Sequence, residues 1–313
     1  MNHALWLLQF LLVIIATLPI ALLPHRMALK LGDYLGVLCF FCWGSRRKIA
    51  IENLKAAVSR KSLTIGASPE EVIKQNFRNL GRSFVEVVKI YYGLGDHIIR
   101  NVKIRGAENF LKASKKGKGT LFITGHCGNW ELTALAAPMN LTEMHVVARP
   151  IDNPYLNRLV ERTRRKYGNR VIYKKGALKK ILFALSKNEV VAILMDQSVV
   201  ISEGVMADFL GKKDYTMKTP ALIALKTGSP VLPGFIRRSE DGHIIEIGEE
   251  LELDSAEGGE KAVYANTIKM SRCIEEYIKQ NPAEWLWMHR RWKRIKDSPG
   301  TAEESPLRDR MSL

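Results

Sequence analysis

The sequence predicts an α/β protein: a mixed central sheet flanked by helices, preceded by an N-terminal membrane-anchoring helix. Two observations lead there. Short β-branched runs alternate with amphipathic segments from about residue 100 onward, the pattern of a sheet covered on both faces. Ahead of them, Ala4–Leu23 contains no charged residue and has the length of a hydrocarbon-spanning helix. The 313 residues and 46% hydrophobic content suffice for one large domain with an appendage and exclude a disordered chain. We expect an anchor and interfacial segment over 1–44, an α/β domain over 45–300 and a disordered tail over 301–313.

In the N-terminal segment, no basic region precedes the apolar run and no small-x-small cleavage site follows it, which argues against a signal peptide. Pro19 and Pro24 can kink or end the helix, so insertion into the membrane interface competes with spanning. Arg26, Lys30, Arg46, Arg47 and Lys48 all follow the run, and the positive-inside bias then puts the rest of the chain in the cytoplasm. Leu35–Trp43 is too short to span and reads as an interfacial stretch. The net charge of +16 and pI near 9.7 call for an anionic partner: nucleic acid, an anionic membrane or a phosphorylated substrate. Four cysteines, with Cys39 and Cys42 as a lone CxxC, make neither a disulfide framework nor a metal site.

From Ser45 to Tyr92 apolar residues recur at helical spacing, and Ser68-Pro-Glu-Glu71 marks a helix start with cap, first-turn proline and acidic first turn. Val102–Gly106 reads as a strand and Asn109–Lys116 as a short helix. The chain then enters the strand Thr120–Thr124, the Gly-punctuated turn Gly125-His-Cys-Gly-Asn129, and a helix from Trp130 capped by Asn129. Further strands are expected at Met144–Arg149, Val171–Tyr173, Val190–Gln197, Val231–Arg237 and His243–Ile247. Helices are expected at Tyr155–Tyr167, Ala177–Lys187, Pro220–Thr227 and Ala262–Gln280, with a loop over Gly204–Tyr215.

The chemistry concentrates in the turn. His126 lies outside the helix that Glu131 begins, so the chain can fold the carboxylate back onto the imidazole. A histidine steadied by a carboxylate at the mouth of a sheet is the arrangement of a general base. The plain alternative is a histidine that merely caps or packs below the helix. No G-x-S-x-G elbow occurs, and Cys127, adjacent to His126 in a tight turn, is badly placed as a nucleophile. Without a covalent nucleophile, His126 suits deprotonation of an acceptor hydroxyl in direct acyl transfer from a thioester. Arg149 at a strand end reads as aimed into the cleft, where arginine serves phosphate binding or oxyanion stabilisation. Arg158, Arg162 and Arg165 read as a solvated helix face, and for Arg164 a solvated and a functional role are both open. Asp196 and Gln197 end a strand, and a functional role and a structural cap are both open for Asp196. Trp285, Trp287 and Trp292 with Arg290 and Arg291 suit a membrane interface or nucleic acid on composition, and the apolar anchor favours the membrane over nucleic acid.

Taken together, these residues resemble the late lipid A acyltransferases, the lauroyl/myristoyl transferase family of Gram-negative bacteria. The resemblance rests on Arg46-Arg-Lys-Ile-Ala-Ile-Glu-Asn-Leu54, Phe77-Arg-Asn-Leu-Gly-Arg-Ser-Phe-Val-Glu86, Gly125-His-Cys-Gly-Asn-Trp-Glu131 and Arg149-Pro-x-x-Asn-Pro154. It continues through Arg164-x-x-x-Gly168, Met195-Asp-Gln197, Phe209-Leu-Gly211 and Trp285-x-Trp-x-His-Arg-Arg-Trp-Lys293. It implies a fold like glycerol-3-phosphate acyltransferase, with the family's His and acid on His126 and Glu131, its arginine on Arg164 and its strand-end Asp on Asp196. Arg164 therefore joins Arg149, Asn153, Asp196 and Gln197 as expected binding residues. The implied reaction moves a fatty acyl chain from acyl carrier protein (or coenzyme A) onto a hydroxyl of a lipid A precursor at the cytoplasmic face of the inner membrane. Neither metal nor cofactor is implied. In Lys218-Thr-Pro220 this chain departs from the family, which leads us to expect a glycine there. The rivals are an acyltransferase on another glycolipid, such as a phosphatidylinositol mannoside, and a non-enzymatic basic protein of membranes or nucleic acid.

Overall fold

A computed structural model describes residues 3–293 except 175 and 255–257; the expected tail over 301–313 lies outside the described residues. Four helices come first: α1 (His3–Leu22), α2 (His25–Cys42), α3 (Gly44–Ser59) and α4 (Pro69–Tyr91). The sheet region follows as α5 (Asp96–Arg100), β1 (Lys103–Arg105), α6 (Ala107–Ser114), β2 (Thr120–Thr124), α7 (Trp130–Asn140), β3 (Met144–Ala148), α8 (Pro154–Lys166), β4 (Asn169–Tyr173), α9 (Ala177–Ser186) and β5 (Val190–Leu194). The chain then makes β6 (Gly204–Phe209), β7 (Lys212–Met217), α10 (Thr219–Thr227), β8 (Val231–Ser239), β9 (Gly242–Ile247) and α11 (Gly259–Gln280).

Seven strands form one sheet in the order β1-β9-β8-β2-β5-β3-β4. It is mixed, as expected: β8, β2, β5, β3 and β4 run parallel, β9 pairs antiparallel with β8, and β1 follows β9. The central strands β2 and β5 are near-continuous apolar runs because both their faces are covered. One face packs on residues of α3, α9, α10 and α11, including Leu54, Ile181, Ile223 and Ile274. The other packs on α5, α6 and α7 through Ile99, Phe110 and Leu135.

One local reading changes. The expected loop over Gly204–Tyr215 is a two-stranded hairpin, β6 against β7, in register from Gly204–Met217 to Phe209–Lys212. Leu210 and Gly211 turn it with positive φ, and alternation in Lys212-Lys-Asp-Tyr-Thr-Met217 is polar enough to hide the strand. The interfacial stretch Leu35–Trp43 is the second half of α2, a helix that lies on α4. The contact is close because glycines face it: a Cβ on Gly36 would stand 2.3 Å from the Phe77 carbonyl oxygen, and one on Gly81 2.1 Å from that of Gly32. Helix α4 starts at the predicted cap, with Ser68 and Glu71 forming a reciprocal capping box.

Candidate active site

The register of the two central strands builds the site. Thr124 of β2 pairs with Leu194 of β5, so His126 and Asp196, each two residues further on, emerge side by side at the carboxyl end of the sheet. Asp196 is 1% exposed and accepts three hydrogen bonds. Its Oδ1 meets His126 Nδ1 at 2.8 Å, and its Oδ2 takes the His126 backbone N–H at 3.0 Å and the Trp285 indole N–H at 2.8 Å. Burial alone would raise the carboxyl pKa, but the imidazole and the donated hydrogen bonds hold it down at about 2. Burial likewise opposes charging of His126; the Asp196 carboxylate overcomes it, with a smaller push from Glu131, and the imidazole pKa is raised. Gly125 permits this packing, since a Cβ there would lie 3.2 Å from Asp196 Cβ.

The acid bonded to His126 is therefore Asp196, a correction to the expected His126–Glu131 pair. Both Glu131 oxygens are engaged elsewhere: Arg164 Nη2 donates to them at 2.7 and 3.0 Å, and the Tyr91 hydroxyl donates to one at 3.2 Å. The reason is the cap. Asn129 Oδ1 accepts the Leu132 N–H at 3.1 Å, which starts α7 at Trp130 and turns Glu131 toward α8 and α4. Asn129 Nδ2 in turn donates to Glu86 of α4 at 3.0 Å. Glu86, 1% exposed, also receives both Nη groups of Arg238 at 2.8 Å and His243 Nε2 at 3.0 Å. Burial opposes its ionisation, yet His243 and Arg238 lower its pKa strongly. A buried ion cluster thus holds the helix start that follows the His126 turn.

The remaining expected residues separate. Gln197 stays at the site, its amide nitrogen 3.3 Å from both His126 ring nitrogens. Arg164 is drawn in as the partner of Glu131 rather than lying on a solvated face, with its side chain 12% exposed. Arg149 points outward: its side chain is 77% exposed and pairs with Asp152, three residues on, because β3 ends at Ala148 and the following Pro150 turns the chain away. Asn153 is the N-cap of α8 and uses its amide nitrogen on the Trp6 carbonyl oxygen at 2.8 Å, so it ties α8 to α1 rather than facing a ligand. Cys127 is buried, and burial, with Asp196 and Glu284, raises its thiol pKa, which leaves it a poor nucleophile.

The expected membrane belt at the C-terminal end is corrected most fully. Trp285, Trp287 and Trp292 are 1%, 0% and 9% exposed, and each indole N–H has an acceptor: Asp196, the Pro282 carbonyl at 2.6 Å and the Lys212 carbonyl at 3.1 Å. Arg291 is wholly buried over the Phe209 ring, donating to Thr216 Oγ1 at 2.7 Å. Burial lowers its pKa to about 10 against the pull of Asp196, Asp214 and Glu275. Of the five residues only Arg290 is exposed. The segment is a clamp. Gly128 N–H donates to the Glu284 carbonyl at 2.9 Å and Leu286 N–H to the His126 carbonyl at 3.0 Å, so residues 284–286 pair with the His126 turn. Alternating Trp-x-Trp was the available sign of a strand-like, half-buried segment. Tyr91 and Glu86 were missed as members of the site; an acid between Val85 and Val88 on an apolar helix face was the signal for Glu86.

This geometry offers a base with a buried orienting carboxylate and, beside it, an arginine–carboxylate pair. Comparison with known proteins gives the family. Residues 2–294 match the family model for bacterial lipid A biosynthesis acyltransferases. Similar proteins include the lipid A biosynthesis palmitoleoyltransferase of Escherichia coli K12, 26% identical over 87% of this chain and 86% of the relative. The lauroyltransferase of the same organism is 25% identical over 87% of each chain. A phosphatidylinositol mannoside acyltransferase of Mycolicibacterium smegmatis is more distant, at 21% over 72% of this chain and 73% of its own. With the model matched from end to end of the described residues, this chain belongs to the bacterial lipid A biosynthesis acyltransferase family.

Proposed function

We propose that the protein is a membrane-bound O-acyltransferase that moves a fatty acyl chain from a thioester, carried by acyl carrier protein or coenzyme A, to a hydroxyl of a lipid A precursor. His126 is the general base. Its Nδ1–H is held by Asp196, which leaves Nε2 to accept the hydroxyl proton. The alkoxide oxygen attacks the thioester carbonyl, the carbon–sulfur bond breaks, and the imidazolium returns its proton to the departing thiolate. Asp196 stabilises the imidazolium while it exists. Glu131 acts with Arg164 and Tyr91: its charge favours the imidazolium, and the arginine, with Gln197, lies where it can meet the carbonyl oxygen or an acceptor phosphate. Residues 1–44 anchor the enzyme at the inner membrane, on its cytoplasmic face.

The observation that carries this reading is the 2.8 Å contact between His126 Nδ1 and the buried Asp196 carboxylate. The test is transfer of a labelled acyl group from acyl carrier protein and from coenzyme A to a lipid A precursor, followed by mass spectrometry. His126→Ala is expected to reduce the rate about 100-fold or more. An undiminished rate would overturn the mechanism. Activity on phosphatidylinositol mannoside instead would move the acceptor to the class named for the mycobacterial relative.

A further inference from the structure

Helix α1 is docked along its whole length, and the pattern of docking bears on how the protein meets a membrane. Its inward residues are Trp6, Phe10, Ile14, Thr17 and Ala21, a stripe at helical spacing. The start of α8 holds its first half and the end of α4 its second. Asn153 donates to the Trp6 carbonyl at 2.8 Å, and Phe10 packs on Tyr155 with ring centroids 5.9 Å apart. The Tyr92 hydroxyl donates to the Ile14 carbonyl at 2.7 Å and lies 3.0 Å from Thr17 Oγ1. Lys89 Nζ, 2.7 Å from the Ala21 carbonyl oxygen and 2.5 Å from that of Leu23, closes the far end. The opposite face is bare and apolar: Leu8, Leu12, Ile15 and Leu22 are 53%, 56%, 68% and 66% exposed.

The docked length from Trp6 to Ala21 is about 22 Å, most of a hydrocarbon core. Helix α8 lies alongside it. Its N-cap meets Trp6, and its Arg164 reaches Glu131 and Tyr91, the neighbour of the tyrosine that holds Ile14. Were α1 to stand upright across the bilayer, α8 would be carried to the same depth with Arg158, Arg162 and Arg165 exposed. Hydrocarbon strongly disfavours unpaired cations at mid-depth. Laid in the plane of one leaflet, α1 instead buries its bare face among acyl chains, while those three side chains reach headgroup level, where anionic lipid attracts them. Arg26 and Lys30, exposed just past the end of α1, carry the same charge.

We infer that α1 is an in-plane anchor, seated in a single leaflet of an anionic membrane, and does not cross the bilayer. The inference rests on the membrane-bound reading above, and it leaves that side of the molecule, with Glu131, Arg164 and Tyr91 behind α1, at the lipid surface.

The test uses the full chain in cells, with a split fluorescent-protein tag at the N-terminus or at the C-terminus and the complementing fragment confined to one compartment. Both tags lighting up in the same compartment, with the protein in the membrane fraction, is the expected result. Tags on opposite sides would overturn the inference and leave membrane attachment standing. Recovery of the protein in the soluble fraction would overturn membrane attachment itself. Spin labels at Leu8, Leu12, Ile15 and Leu22 supply a second reading in vesicles containing anionic lipid. In-plane seating gives all four about the same immersion depth, whereas a profile deepest in the middle of α1 and shallow at both ends would overturn the inference.

Discussion

Asp196 exchanges water for three donors, a backbone amide, an imidazole and an indole, and the exchange keeps it ionised although it is buried. Its charge is what lifts the His126 pKa, so under the proposed mechanism the neutral imidazole is available only above a pH higher than an exposed histidine would require. Acyl transfer should therefore fall on the acid side with an apparent pKa above about 6.5. Asp196→Asn removes the charge that favours the imidazolium, so the acid limb should move to lower pH while the plateau drops about 100- to 10,000-fold. A pH–rate profile of both proteins checks the two effects together. An unchanged limb would mean that another group titrates. The carboxyl also bears on stability: its folded pKa lies below the usual aspartate value, so its contribution is complete above that value and disappears as pH falls toward 2.

At the scale of elements, the C-terminal clamp joins catalysis to folding. Trp285→Phe keeps most of the apolar volume and removes the N–H to Asp196, so activity should fall by about tenfold with a small change in melting temperature. Trp285→Ala also opens a cavity beside Phe209 and Trp287 and should cost about 3–5 kcal/mol. Thermal unfolding in detergent separates the two. Gly36→Ala, which drives a methyl into the Phe77 carbonyl, should cost about 1–3 kcal/mol by parting α2 from α4. The strand–turn–helix around His126 was legible because each of its parts is local: apolar run, glycines, Asn129 cap. The Asp196 partnership depends on which strand neighbours β2, and nothing in the order β2, β3, β4, β5 says that β5 inserts beside it. Glu131 was drawn to His126 in sequence and to Arg164 in space for the same reason. The tryptophans were misread because composition reports amphipathic character and is silent about which surface receives it.

On the whole molecule, the proposed membrane attachment has two separable contributions, a net charge of +16 and a bare apolar helix face. The charged part acts through exposed side chains such as Arg158, Arg162 and Arg165, and so it is screened as the Debye length shrinks from about 10 Å at 0.1 M salt to about 3 Å at 1 M. The apolar part, from Leu8, Leu12, Ile15 and Leu22, is not weakened by salt. Co-sedimentation with vesicles should therefore show binding that declines with salt on anionic lipid, converging at high salt on the weaker, salt-independent binding seen with neutral lipid. Replacing Leu12 and Ile15 by Glu leaves the docked stripe intact, and should abolish that residual binding while the melting temperature holds. If residual binding survives both substitutions, the apolar contact lies elsewhere, and α2, whose Tyr34, Leu38 and Phe41 are 73%, 57% and 58% exposed, becomes the face to change next.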